Sequence, residues 1–366
     1  MDKQNNYAII MAGGVGSRFW PWSRSNRPKQ FLDILDTGKT LIEQTFDRLK
    51  NICEPGNIMV VTNERYKEDI LQLVPEMQKD NILLEPMMRN TAPCIAYGAY
   101  KIQKQNPEAR IIVAPSDHLV LKEDVFTHVV QSGFEFASRN NTLLTIGIKP
   151  HRPETGYGYI KAQKESAEKK DEHFSLHPVL QFTEKPDHET AKEFVASGNY
   201  YWNSGMFIWS VESILKAFDA YLPDMNVLFQ SYLDKFNTAM EYKAIESIYE
   251  KCETISIDYG IMEKADNVHV LCTDIGWSDI GTWGSLYEHS QLDENNNAIR
   301  GEKVILDDTI NSVIKVSNEK ATVIQGLKDY IVVDDEKALL ICRKKDEQKI
   351  KDYVKRVKQN FGEDFI

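Results

Sequence analysis

Cysteine is scarce in this chain of 366 residues: Cys53, Cys94, Cys252, Cys272 and Cys342 are odd in number, scattered and never spaced as CxxC. That distribution argues against a disulfide framework and against structural zinc. No apolar run approaches the roughly 18 residues that a membrane span needs. The opening stretch, MDKQNNYAII, has neither a charged region leading into a long apolar segment nor a cleavage site. Long-period repeats and low-complexity tracts are missing too. Positive charge is in deficit, with 44 Lys plus Arg against 55 Asp plus Glu and a net charge of −11. Such a balance excludes broad nucleic-acid binding and docking on an anionic membrane. The expectation is a cytoplasmic protein without nucleic-acid or membrane partners, whose basic sites are local and suited to small anions.

What is present is an ordinary globular composition, 42% hydrophobic and 27% charged, on a length that allows about two domains. One stretch organises the rest, Tyr7 to Phe31, YAIIMAGGVGSRFWPWSRSNRPKQF. Its apolar run Ala8 to Ala12 reads as a buried strand. It breaks into Gly13-Gly14-Val15-Gly16-Ser17-Arg18, whose glycines let the backbone turn tightly and present N–H groups to an anion. Arg18 follows directly, and Lys29 comes after Pro28 in a segment that cannot be continuous helix. A strand, a glycine loop and two cations make a polyphosphate cradle. A plain tight strand-to-helix turn is the competing reading.

Two familiar phosphate motifs are incomplete. The third glycine of GxGxxG, counted from Gly14 and Gly16, falls at Phe19; the first glycine of a Walker loop ending in Gly38-Lys39-Thr40 falls at Asp33. Gly38 to Thr40 is read as a turn opening a helix near Leu41.

Along the chain, helices are expected at Leu41–Leu49, Lys67–Val74 and Ile95–Gln105, the last with Asn90 or Thr91 near its cap and Pro93 in its first turn. Strands are expected at Ile58–Thr62, at Ile82–Leu84, and from Arg110 into Pro115-Ser116-Asp117-His118. Alternating strands and helices over the first 150 residues predict an α/β, Rossmann-like, doubly wound sheet, mixed but mostly parallel. Ligands of such sheets sit beyond the carboxyl ends of strands. The glycine loop, the loop after Glu85, and Asp117 all follow strands. From Thr155 the texture changes: a strand at Val179–Thr183, a helix at His188–Ser197, further helices to about Glu250, and a strand at Val268–Cys272. The Asn-rich break at Glu294–Asn297 separates a catalytic domain, 1–290, from a small β-rich domain, 291–366, that ends in a charged helix at Asp346–Lys358. Its short strands fit a β-helix fragment or a small β domain equally well.

Asp117 and Asp279 are the candidate metal ligands, because Mg²⁺ needs only one or two carboxylates beside phosphate oxygens; a helix cap or a turn is the bland reading of each. Glu184 and Lys185 adjoin in FTEKP, where a carboxylate could accept from sugar hydroxyls and the ammonium reach a phosphate. A surface ion pair is the alternative. His118 is read as structural, since a phosphate nucleophile is already ionised and needs no general base.

These motifs resemble the sugar-nucleotide pyrophosphorylases, a nucleotidyltransferase family with the signature GGxGxRxxPxxxxxPK. Gly13, Gly14, Gly16, Arg18, Pro21, Pro28 and Lys29 stand where that pattern wants them. WPWSR, PKQF and the Glu85-to-Pro93 segment are similar to the guanylyltransferase branch. The likeness runs from Ala8 to Glu288 through separated motifs in family order. It implies the nucleotidyltransferase fold, and a reaction of GTP with mannose 1-phosphate giving GDP-mannose and pyrophosphate, with Mg²⁺ on Asp117 and Asp279. It implies catalytic roles for Arg18, Lys29 and Lys185, and nucleotide binding by Ala12, Gly13, Gly14, Gly16, Arg89, Asn90 and Thr91. Sugar binding falls to Gly156, Gly158, Glu184 and Asn203, with Tyr157, Trp202 and Trp277 as walls. It further implies a form without the isomerase domain of bifunctional relatives, and a C-terminal region for packing or homodimer formation. Another sugar phosphate, another base, or a non-catalytic sugar-nucleotide-sensing subunit remain the alternatives.

Overall fold

A computed structural model describes residues 3–366. The chain forms two compact units built from interleaved segments. The first takes the stretch ending at Gly13 with Glu43–Ser116 and Val120–Trp277; the second takes Gly14–Ile42, Asp117–Leu119 and Ser278–Ile366.

The first unit is built on a ten-stranded sheet. Its strands are β1 (Asn6–Ala12), β2 (Ile58–Asn63), β3 (Ile82–Glu85), β4 (Arg110–Pro115), β5 (Leu143–Ile148), β6 (Tyr159–Ala162), β7 (Lys169–Lys170), β8 (Phe174–Thr183), β9 (Tyr200–Ser210) and β10 (Val268–Thr273). Their order is β3-β2-β1-β4-β9-β5-β10-β8-β6, with β7 beside β8. β1 through β4 pair parallel, as does β5 with β10. The sheet is thus mixed, and more of it is antiparallel than the alternation of the first 150 residues predicts. The reason is β9, a long strand inserted antiparallel between β4 and β5, and the antiparallel β6–β8 pair beyond β10. Strands covered on both faces read as continuous apolar runs, and NYAIIMA in β1 is buried at every position but Met11.

Parallel register brings the ends of β1, β3 and β4 to one edge: Ala12 pairs with Thr62, Asn63 with Glu85, and Met11 with Pro115. The chain leaves that edge at Gly13, Pro86 and Ser116. The helix Thr91–Gln105 lies over the sheet with Ile95, Tyr97, Ala99 and Ile102 in the core beside Ile9, Val61 and Val113. A helix at Glu123–Ala137, not expected from the pattern, buries Phe126, Val130 and Phe134.

In the second unit, β11 (Ala298–Arg300), β12 (Val304–Asp307), β13 (Val313–Lys315), β14 (Thr322–Gln325) and β15 (Tyr330–Asp335) alternate between two sheets. β11-β13-β15 pair parallel in one and β12-β14 in the other, the winding of a short β-helix; β16 (Ala338–Arg343) closes the first sheet antiparallel. A 3-10 turn at Lys344–Lys349 leads into the helix Ile350–Phe361. All of residues 291–366 fall in this unit, and so does the arm after the glycine loop. Phe19, Trp20, Trp22 and Leu32 pack with Trp283, Val313, Ile331, Leu340 and Ile350.

The Asn-rich break proves to be part of this packing. Asn297 is fully buried; its Nδ2 donates to Asp293 Oδ2 at 3.0 Å and to the Thr309 carbonyl at 2.8 Å, and its Oδ1 accepts from the Ser312 N–H at 3.0 Å. Asn297→Ala strands the Thr309 carbonyl and the Ser312 N–H, and leaving buried groups unsatisfied costs about 2 kcal/mol. Denaturant unfolding is expected to show that loss; an unchanged midpoint at unchanged slope would refute it.

Candidate functional site

The residues that carry chemistry form three groups. The first, in the second unit, centres on Lys29. Gly16 has φ 67°, and a Cβ there would stand 2.4 Å from Lys29 Cβ, so only glycine admits both the turn and the lysine behind it. The turn is held by Ser23 Oγ, which donates to the carbonyls of Val15 (2.7 Å) and Gly16 (3.0 Å), and by Gln30 Nε2, which donates to the Gly14 carbonyl at 3.0 Å. The Lys29 side chain is 4% exposed, and its Nζ lies 2.8 Å from Asp117 Oδ2. The same Nζ donates to the backbone carbonyl of Asp279 at 2.6 Å. One ammonium therefore joins both candidate metal ligands. Burial alone would raise the Asp117 pKa, but the charges of Lys29 and His118 and hydrogen bonds from Lys29 and the backbone outweigh it, holding the carboxyl below its ordinary value. His118 Nε2 stands 3.9 Å from Asp117 Oδ1. Asp279 Oδ1 accepts from the Gly281 N–H at 2.9 Å, and a Cβ on Gly281 would lie 2.4 Å from Asp279 Oδ2.

Two carboxylates supply hard oxygen donors, and the donor set fits Mg²⁺, which completes its shell with water and phosphate oxygens. Among the described residues no group of three or more His, Cys, Asp or Glu could enclose a metal.

The second group, in the first unit, gathers Gly158, Glu184, Lys185, Asn203 and Asp258. β9 carries a bulge between Asn203 and Phe207, with Gly205 at φ 70°, a device that re-aims side chains. Asn203 Oδ1 accepts from Thr145 Oγ1 (2.9 Å) and the Gly205 N–H (3.2 Å), and its Nδ2 donates to Asp258 Oδ1 at 2.8 Å. The Asn203 N–H donates to the Gly158 carbonyl at 2.8 Å. Glu184 is 7% exposed at its side chain and pairs with Lys185, itself 56% exposed. Glu184 Oε2 is buried and, among the described residues, has no hydrogen-bond partner. A Cβ on Gly158 would come within 2.3 Å of that oxygen. A buried acceptor kept open by a glycine is suited to a ligand hydroxyl. Tyr157 stands edge-on to Trp202 and Trp277, with ring centroids 5.2 and 5.3 Å away. Gly156 donates its N–H to Glu154 Oε1 at 3.1 Å.

Asp258 escaped the sequence reading. It opens a π-helical turn, Asp258–Met262, a form frequent at functional sites. Burial first, then the charge of Glu184, raises its carboxyl above the ordinary range, while Lys185 and the Asn203 hydrogen bond oppose this. Lys185 answers in kind: desolvation would lower its pKa, but the Glu184 hydrogen bond and the charges of Glu184 and Asp258 raise it. The only sequence signal was an aspartate in a helical context, and its partners lie more than 50 residues away.

The third group lies at the end of β3 in the first unit. Glu85 Oε1 accepts from Tyr249 Oη at 2.9 Å, and a Cβ on Gly13 would meet Glu85 Oε2 at 3.6 Å. The Ala12 carbonyl accepts from Thr62 Oγ1 at 2.9 Å. Arg89 spends its donors on the chain around Tyr249, with Nε to the Tyr249 carbonyl (3.0 Å), Nη1 to Thr254 Oγ1 (3.2 Å) and Nη2 to the Glu250 carbonyl (3.4 Å). Asn90, at φ 69°, caps the helix Thr91–Gln105 by accepting from the Thr91 N–H at 2.9 Å; Thr91 Oγ1 accepts from the Ile257 N–H at 2.9 Å. The competing helix-cap reading of this segment is therefore realised in its geometry. Arg18, in the second unit, donates from Nε to Gln348 Oε1 at 3.1 Å.

Residues 7–296 match the family described as nucleotidyl transferase. A mannose-1-phosphate guanylyltransferase of Escherichia coli is 35% identical over 354 residues, covering 95% of this chain and 75% of that protein. One from E. coli strain K12 is 36% identical over 364 residues, covering 98% and 74%. A solved structure from Thermus thermophilus, described as a mannose-1-phosphate geranyltransferase, superposes with a TM-score of 0.84 at 30% identity, covering 97% of this chain and all of that one.

Glu85 offers a test that needs no substrate. Desolvation pushes its pKa up to about 7, against a smaller lowering by the Tyr249 hydrogen bond. A carboxyl raised in the folded state stabilises fully below its unfolded pKa, and loses that contribution as pH rises through the folded value. Glu85→Gln, which mimics the protonated form, is expected to match the parent near pH 4 and to be more stable at pH 8. The expected gain is on the order of 2 kcal/mol by linkage. Equal stability at both pH values would show that Glu85 titrates normally.

Proposed function

The chain belongs to the nucleotidyl transferase family, and from that premise we propose that it makes GDP-mannose and pyrophosphate from GTP and α-D-mannose 1-phosphate. The observation that carries this reading is the Lys29 ammonium, which ties Asp117 to the Asp279 backbone beside a glycine loop. A phosphate oxygen of the sugar phosphate attacks the α-phosphorus of GTP in line; the new P–O bond forms as the bond to pyrophosphate breaks. The nucleophile is already ionised, so no side chain need take a proton and no covalent enzyme intermediate is required. The protein contributes position and charge.

Lys29 neutralises nucleotide phosphates, Arg18 holds the departing pyrophosphate, and Lys185 holds the attacking phosphate. Glu184 and Asn203 read sugar hydroxyls beside the backbone of Gly156 and Gly158. Ala12, Gly13, Gly14 and Gly16 present backbone to the nucleotide, and Arg89, Asn90 and Thr91 serve its site through the loop shape they hold. Asp117 and Asp279 would hold Mg²⁺, which when bound supplies charge stabilisation at the phosphates. Residues 1–290 are the transferase portion in this reading. Residues 291–366 serve packing or self-association as a homodimer, supported by the exposed Ile305 and Val323, which are neighbours in register. A cytoplasmic site of action belongs to the same reading; no helix among the described residues is long and apolar enough to cross a membrane.

Pyrophosphate release is expected only when GTP, mannose 1-phosphate and Mg²⁺ are all present, with GDP-mannose as the second product. Release with another sugar phosphate or nucleotide and not with this pair would redirect the specificity. Silence across such a panel, with GDP-mannose still bound, would favour a sensing subunit. Glu184→Ala removes a buried acceptor with charge, a loss of about 1.5–3 kcal/mol. It is expected to cut kcat/KM for mannose 1-phosphate by about 10- to 100-fold while leaving the KM for GTP near its parent value. An equal loss on both substrates would remove Glu184 from the sugar site.

A further inference from the structure

Within the second unit, two consecutive side chains of the turn Lys344–Lys349 hold the Gly284 backbone and the proposed pyrophosphate cation, Arg18. Glu347 Oε2 accepts from the Gly284 N–H at 2.8 Å. Gly284 lies in the first turn of the helix Trp283–Glu288, five residues after Asp279, and a Cβ there would stand 3.2 Å from the Glu347 carboxylate. Gln348 Oε1 accepts from Arg18 Nε at 3.1 Å. The following helix, Ile350–Phe361, packs Tyr353, Val354 and Val357 against the cluster that holds Phe19, Trp20 and Trp22. Past its end, the Phe365 carbonyl accepts from Trp20 Nε1 at 2.7 Å. The short turn Ser17–Phe19, which bears Arg18, is thus clamped from residues 348 to 365.

We propose that this segment is a working part of the transfer site, and that Gln348 is the positioning residue that aims Arg18 at the departing pyrophosphate. The inference rests on the reading of Arg18 given above. A guanidinium has five donors in one plane. Fixing Nε from one edge sets the plane and turns the two terminal nitrogens, the pair suited to bidentate grip on a phosphate, toward the opposite side. Gln348 suits that role because it accepts without charge, and so leaves the guanidinium's full positive charge for the ligand; a carboxylate at the same place would compete with the pyrophosphate. Lys351, one turn further on, supports the picture. Desolvation first, then the like charges of Arg18 and Lys355, lower its pKa, and an anion held by Arg18 would relieve that repulsion.

The test is the reverse reaction, GDP-mannose with pyrophosphate, assayed on the full chain with Gln348→Leu, Gln348→Ala, Arg18→Lys and the Arg18→Lys/Gln348→Leu pair. Both Gln348 variants are expected to raise the KM for pyrophosphate about five-fold, the effect of one hydrogen bond. The KM for GDP-mannose and the melting temperature should stay at parent values, since Gln348 is exposed. In the Arg18→Lys background the Gln348 change is expected to add less than about 1.5-fold, because its effect runs through the guanidinium. A pyrophosphate KM unchanged by either Gln348 variant, or a full five-fold effect persisting without the arginine, would overturn the proposal. A fall in melting temperature with both KM values raised alike would reduce Gln348 to a stabilising contact and overturn it too. If Arg18→Lys itself leaves the pyrophosphate KM unchanged, the assignment of Arg18 fails first; if Arg18→Lys raises it and the Gln348 variants do not, only the role of Gln348 fails.

Discussion

The contact on which the second unit's chemistry depends is the buried ammonium of Lys29. A buried ammonium needs good acceptors for its N–H groups. It has two, the carboxylate of Asp117 and the backbone carbonyl of Asp279. The first keeps Asp117 ionised against the pull of its own burial. The second fixes the chain at Asp279, so that the Asp279 carboxylate, tied to the Gly281 N–H, projects from a defined point. Lys29 can occupy that place only because Gly16 has no side chain. Two glycines and one lysine thus determine where two carboxylates stand, and the carboxylates determine where a divalent cation could sit.

The group around Glu184 and Asp258 in the first unit works by the opposite rule. There two acids, Glu184 and Asp258, face a single partly exposed lysine, and burial first, then the charge of Glu184, raises the Asp258 carboxyl. Glu184 pairs with Lys185 and leaves Oε2 buried without a hydrogen-bond partner among the described residues. Asn203 sits between, its amide donating to Asp258 and its carbonyl saturated by Thr145 and Gly205.

Local features were legible in the chain and long-range partners were not. The buried run at Ala8–Ala12, the glycine loop, the first four parallel strands and the helix capped at Asn90 follow from patterns a few residues long. The antiparallel β9 was harder to read, because its bulge at Asn203–Phe207 breaks the period of two on which strand recognition relies. The Asn-rich segment reads as a break between domains because polar residues usually mark turns, and the sequence does not show that Asn297 within it is buried in bonds to residues 12 and 15 positions later. Asp258 and Gln348 were invisible for the same reason. Their meaning comes from Asn203, Glu184 and Arg18, which share no sequence neighbourhood with them. Arg89 shows the converse, since the resemblance put it in a nucleotide site while its hydrogen bonds run to the chain around Tyr249.

That contrast bears on how such a reaction can be accelerated at all. Phosphoryl-type transfer to an ionised nucleophile asks for no acid, base or covalent partner, so its rate depends on how accurately charges are held. Residues without reactive groups then matter as much as the cations themselves. Gly16 decides where Lys29 lies, Gly158 keeps Glu184 Oε2 open, and Gly281 lets the Asp279 carboxylate fold back on its own backbone. Gln348 and Glu347 belong to the same category: neither carries a reactive group, yet one holds the Arg18 side chain and the other the Gly284 backbone. A substitution at any of these glycines or at Gln348 would leave every charged group in the chain intact and still change how those charges are held, which is what catalysis by positioning depends on.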